Sequence, residues 1–133
     1  MLPHRPVGEC LDLDKDHGRF WSRIDDKSER MRWRMRKAQS EAGSLCLWNN
    51  VSESRGRPLD GLAPTLTTKS GTQLYLLDGD RGRILNPNEL ARIHGFPDDY
   101  KFPRSRELCS ELIGNAIPGE LAYGVLRQIP ENN

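Results

Sequence analysis

The four residues Asn86-Pro87-Asn88-Glu89 constrain the fold more than any other stretch of this chain. An Asn at the N-cap accepts a bond from a free helical N–H. Pro suits the first helical position because its missing donor is not needed there, and Glu three residues past the cap bonds back to the cap's own amide. A helix start is therefore predicted at Pro87, with Leu90, Ala91 and Ile93 on its apolar side. Gly95 stops it and Phe96-Pro97 prevents continuation. Similar punctuation predicts a second helix from about Ser105 to Ile113, with Leu108, Cys109 and Leu112 inward and Gly114 as its stop. A third starts with Pro118 and carries the stripe Leu121, Ala122, Val125, Leu126 and Ile129.

Upstream the pattern changes. A helix is predicted from about Asp26 to Ala42, ended by Gly43, with Ile24, Met31, Met35, Ala38 and Ala42 on one stripe. Its remainder is basic: Arg30, Arg32, Arg34, Arg36 and Lys37, with Trp33 among them. A solvated face and a phosphate-facing surface both fit this pattern. Leu45–Val51 reads as a short strand, followed by a loop over Ser52–Asp60. Leu62–Thr68 and Thr72–Leu77 read as strands of a hairpin turning at Lys69-Ser70-Gly71. Asp78-Gly79 opens another turn before a strand at Arg83-Ile84-Leu85. Asp12, Asp14 and Asp16 suggest a calcium loop, but such a loop needs Gly at its sixth position and Glu at its twelfth. Here those positions are His17 and Arg23, which excludes it.

Composition narrows the class. The 133 residues hold 20 Lys+Arg against 19 Asp+Glu, a net charge of +1. Leu, Ile, Val and Phe number 29, enough for one modest core and too many for a disordered chain of low charge. No apolar run reaches the length of a membrane span, and Met-Leu-Pro-His-Arg lacks the apolar core of a signal peptide. A soluble, cytoplasmic protein without a membrane partner is expected. Cys10, Cys46 and Cys109 form no CxxC pair, so buried free thiols are expected rather than a zinc site or a disulfide framework.

Two segments stand out together. Arg83 to Tyr100 reads RILNPNELARIHGFPDDY, and Ile113 to Pro118 reads IGNAIP. In this order they resemble the ninth and tenth motifs of the DNA cytosine-5 methyltransferases. Ala63-Pro64-Thr65-Leu66-Thr67-Thr68, a short distance upstream, resembles the Thr-Leu segment of that family's target-recognition domain. The resemblance covers Leu62 to Ile129. Leu112 stands where the family often has Gln, and Gly119 where it often has a second Pro. A bacterial or phage setting fits such a protein.

Equally informative is what the resemblance leaves out. The family's catalytic Cys follows a Pro, whereas the cysteines here follow Glu9, Leu45 and Leu108. Its Glu-Asn-Val tripeptide, Gly-rich cofactor loop and Arg-rich eighth motif are not found, and Asn49-Asn50-Val51 is no substitute. The chemistry needs a thiolate at C6 of a flipped cytosine and an acid at N3. This sequence does not supply that set.

The resemblance implies an α+β chain. Residues 1–82 would form a small recognition region, with 1–61 variable and 62–82 a hairpin. Residues 83–133 would complete an S-adenosylmethionine-dependent methyltransferase α/β domain supplied by another chain. Asn115 and Ala116 match positions lining the methyl-donor pocket. Thr65 is expected on a DNA phosphate beside the flipped base. Base readout is expected from Arg55, Arg57, Lys69, Ser70 and Gln73, and phosphate contact from Arg32, Arg34 and Arg36. Arg83, Pro87, Glu89, Gly95 and Gly114 are expected to be structural. The expected partners are double-stranded DNA and a larger subunit carrying the catalytic motifs. Met1, and an end just after the last helix, suit a self-contained reading frame. The alternatives are an inactive C-terminal fragment and a DNA-binding module without enzymatic activity.

Overall fold

The computed structural model describes residues 5–13, 21–51, 55–117 and 119–130. Their fold is α+β. A 3₁₀ turn at Val7–Cys10 leads to β1 (Ser22–Arg23), a second 3₁₀ turn and α1 (Glu29–Ala42). Next come β2 (Leu45–Asn49), β3 (Arg57–Pro58), a one-turn helix α2 (Ser70–Gln73), β4 (Leu74–Asp78) and β5 (Arg81–Ile84). Three helices close the chain: α3 (Pro87–His94), α4 (Arg106–Asn115) and α5 (Gly119–Leu126). The strands of the described residues form one antiparallel sheet in the order β1-β5-β4-β2-β3. Its centre is the β2–β4 pair, running from Leu45 opposite Asp78 to Asn49 opposite Leu74.

Strand alternation divides the core in two. Cys46, Trp48 and Leu77 point to one face and pack on Ile24 and on Met35 and Ala38 of α1. Leu47, Leu74 and Leu76 point to the other, where they meet Val7, Leu11, Leu85, Leu90, Ala91 and Ile113. The sheet thus lies between α1 on one side and α3 with α4 on the other. Burying each large apolar side chain contributes about 1.5–3 kcal/mol, so both layers are needed to hold a sheet this small.

The structure revises several expectations. α1 starts at Glu29, because the Ser28 hydroxyl accepts from the Met31 N–H, while Asp25 and Asp26 lie in the preceding 3₁₀ turn. Residues 62–67 are irregular rather than a strand, so the hairpin predicted over 62–82 is incorrect. The hairpin is β4–β5, closed at Gly79-Asp80. A boundary at residue 82/83 falls inside β5, and α3 packs on the sheet formed by the upstream strands. In α4, Cys109, Ser110 and Ile113 are buried, while the supposedly inward Leu108 and Leu112 are each 44% exposed. α4 also continues through Gly114 to Asn115. Pro118, the expected start of α5, and most of the Asp12–Gly18 acidic stretch lie outside the described residues.

Candidate DNA-recognition and cofactor-side site

The Arg83–Glu89 pair organises the site from below. Both side chains are enclosed, and the guanidinium meets the carboxylate through two bonds of 2.6 and 2.9 Å. Glu89 also accepts from the Asn86 N–H, completing the capping box with the Asn86 side chain, and from the Asp12 N–H. Pro87 takes the first helical position and Gly95 the left-handed stop at φ 95°. One turn along α3, Arg92 donates to the Asp12 carboxylate at 2.8 Å and to the Cys10 carbonyl. The hydrogen bond to Asp12 holds Arg92 further into its charged form. Arg92 was not singled out from the sequence, and Asp12 was weighed there only as part of a calcium loop. Residues 77 to 82 positions apart meet here, and no local pattern reports that.

Above this base, α4 lies directly on the segment that follows Thr65. Ser110 Oγ donates to the Thr68 carbonyl and accepts from the Gly71 N–H, both at 2.9 Å. Gly114 lets the helix approach the Thr67–Thr68 backbone so closely that a Cβ there would sit 2.3 Å from the Thr68 nitrogen. The Thr-Leu segment and the Gly-Asn-Ala segment, about 50 residues apart, are thus in contact. Thr65 is exposed. Asn115 is exposed at the end of α4, and the Ala116 carbonyl accepts from His94 Nε2 at 2.7 Å, which places a proton on that nitrogen.

The expected base readers divide. Arg55 and Arg57 are exposed and line a groove with Asn49, Val51, Pro58 and Pro64, next to Thr65. Lys69 is exposed and Gln73 half-buried. Ser70 is buried and its hydroxyl accepts from the Thr67 N–H. That geometry shapes the turn and offers no face to a base, contrary to the expectation for Ser70. Three arginines of α1 are tied to protein groups, Arg32 and Arg36 while remaining exposed. Arg36 reaches Asp25, Asp80 and the Gly79 carbonyl. Arg34 bonds Asn50 and the Val51 carbonyl and stacks over Trp48. Arg32 donates to the Asp25 carbonyl. α1 also packs on the sheet face opposite to α3 and α4, away from the Leu66 side of the core.

Cys10, Cys46 and Cys109 are buried free thiols. Burial pushes all three up, Cys46 to about 11. Among the described residues there is no cluster of His, Cys, Asp or Glu fit to hold a metal ion, and no helix long and apolar enough to cross a membrane.

Comparison with known proteins gives the family. The model of the C-5 cytosine-specific DNA methylases matches residues 13–131, and the chain belongs to that family. Among its relatives, DNA (cytosine-5)-methyltransferase 3 of Arabidopsis thaliana is 40% identical over 52 residues, covering 39% of this chain and 4% of the plant protein. Type II methyltransferase M.FnuDI of Fusobacterium nucleatum is 46% identical over 50 residues, covering 37% of this chain and 14% of the relative. Type II methyltransferase M.BanI of Aneurinibacillus aneurinilyticus is 27% identical over 74 residues, covering 56% and 17%. The chain therefore spans less than a fifth of each of these relatives. No solved structure matches it.

Proposed function

We propose that this chain is the DNA-recognition and cofactor-closing part of a DNA cytosine-5 methyltransferase, working with a larger partner chain that carries the catalytic cysteine. The observation that carries this reading is the uncovered apolar face of the C-terminal helices. Leu108 and Leu112 of α4, and Val125 and Leu126 of α5 with Ile129 beyond it, are all exposed, the last three by more than half. A face of this kind marks a surface that another element covers. The partner's α/β domain is the covering element that family membership suggests. The buried thiols support the same division. A thiol held protonated in a core is a poor nucleophile, so the attack on C6 falls to a cysteine outside this set.

Within the complex each part of this chain has its own task. The Thr65 hydroxyl donates to a phosphate of the target strand and sets its path beside the flipped cytosine. Arg55 and Arg57 present guanidinium forks suited to guanine O6 and N7 in the major groove, with Lys69 and Gln73 as further contacts. The residues at the end of α4 suit a polar ligand: the exposed Asn115 amide offers a donor and an acceptor, and the Ala116 carbonyl is already held by His94. S-adenosylmethionine, when bound there, supplies the methyl group. Asn115 would hold and orient it, and the partner would complete the pocket.

The test is reconstitution. The isolated chain, given duplex DNA and labelled S-adenosylmethionine, is expected to transfer no methyl group. Added to a partner chain containing the Pro-Cys and Glu-Asn-Val motifs, it should restore C5 methylation. Activity of the isolated chain, or of that partner without it, would overturn the reading.

A further inference from the structure

We propose that Ser110 is a positioning residue for methyl transfer, holding the target-strand segment at a fixed spacing from the methyl-donor end of α4. This rests on the functional reading above. A serine inside a helix ordinarily bonds back to a carbonyl of its own preceding turn. Ser110 instead spends its hydroxyl outside the helix. It donates to the Thr68 carbonyl and accepts from the Gly71 N–H, both at 2.9 Å, the second of them buried. One oxygen thereby ties both ends of the turn that follows Thr65-Leu66-Thr67.

Two close approaches lock the same junction. A Cβ on Gly71 would lie 2.9 Å from the Ser110 side chain, and one on Gly114 would lie 2.3 Å from the Thr68 nitrogen. Ser110 and Gly114 are four residues apart, so they stack on one face of α4. The segment is thus pinned at two points on a rigid helix and cannot slide along it. Leu66 adds an apolar anchor in the cluster that contains Ile113. Thr65 precedes Leu66 directly, and Asn115 follows Gly114 directly. The phosphate contact and the cofactor contact are therefore set at the two margins of a single junction, with Ser110 at its centre. Transfer requires the flipped base and the methyl donor to be aligned to within a fraction of an ångström. Ser110 serves that alignment through Thr68, without touching either reactant.

The experiment uses the complete enzyme, reconstituted with its partner, and the variants Ser110→Ala and Gly71→Ala, which open the junction from opposite sides. Both should lower kcat per titrated active site by about tenfold to a hundredfold. KM for S-adenosylmethionine should stay within about twofold, the pattern of a lost transition-state alignment rather than lost binding. Hydrogen exchange at the Gly71 amide should quicken in Ser110→Ala. Faster exchange with unchanged kcat would overturn the proposal, leaving a clasp that serves the fold alone. Unchanged exchange would overturn the junction itself. A wild-type pair that transfers no methyl group would overturn the functional reading and this role with it, and is told apart because the unmodified protein fails too.

Discussion

Arg83 and Glu89 face each other with no exposed surface of consequence, joined by two bonds of 2.6 and 2.9 Å, and the carboxylate also accepts from the backbone amides of Asn86 and Asp12. One residue lies on β5 and the other on the first turn of α3. The pair therefore sets the angle at which the C-terminal helices leave the sheet. Because Asp12 joins it, the pair also fastens the N-terminal turn.

Glu89→Gln keeps the shape and removes the charge, leaving the Arg83 guanidinium buried without a counter-ion. Breaking a buried pair on one side costs about 3–5 kcal/mol. The urea midpoint should fall accordingly, and a midpoint equal to the parent's would show that the pair contributes little to the fold.

Alkali should weaken the fold through Cys46. Its thiol titrates at about 11 when folded, against an ordinary value near 9. Between those values the native chain keeps a proton that the unfolded chain has lost. Unfolding free energy then falls as pH rises, by about 1.4 kcal/mol per unit for one group, and this contribution is fully present below pH 9. Cys46→Ala should flatten that part of the profile. A stability curve rising over the same range would contradict the burial argument.

Asn115→Ala should separate two bindings in the reconstituted pair. Losing one hydrogen bond to the cofactor raises KM for S-adenosylmethionine by about tenfold. The DNA dissociation constant, measured by fluorescence anisotropy, should be unaffected. A matching loss of DNA affinity would move Asn115 from the cofactor to the DNA or to the fold.

The outer face of the C-terminal helices should be dispensable for the chain and essential for the pair. Leu112→Lys and Leu126→Lys alter exposed positions, so unfolding free energy should change by no more than about 0.5 kcal/mol. Capture of the larger chain should be abolished, and self-association of the isolated chain should drop in sedimentation velocity. Undiminished capture would place the partner elsewhere.

The sequence was most legible where the physics is local. The cap, the proline and the stop glycine of α3 lie within ten residues and each acts on its own neighbours, so Pro87–His94 could be read almost to the residue. Residues 62–68 were misread because their threonines favour a strand, whereas the segment is held by Ser70 accepting from the Thr67 N–H and by Gly71 docking on Ser110, 39 residues away. The orientation of α4 failed for a different reason. Leu108 and Leu112 are the larger hydrophobes, but close approach to the Thr67–Thr68 backbone requires the small face carrying Ser110 and Gly114. The arginines of α1 could be counted from the sequence. Their partners Asp25, Asp80 and Asn50 are fixed only once α1 has packed across β2. The Thr65 and Asn115 segments were found by resemblance to a family; their contact through Ser110 was not foreseen.

The most direct test of the central claim uses duplex DNA carrying 5-fluorocytosine at the target position, which traps the attacking cysteine after methyl transfer. The complex purified from its native host through a tag on this chain is incubated with that DNA and S-adenosylmethionine, then digested for mass spectrometry. The account predicts a nucleotide adduct on a cysteine of the larger, co-purified chain and none on Cys10, Cys46 or Cys109. An adduct on any of these three would contradict it.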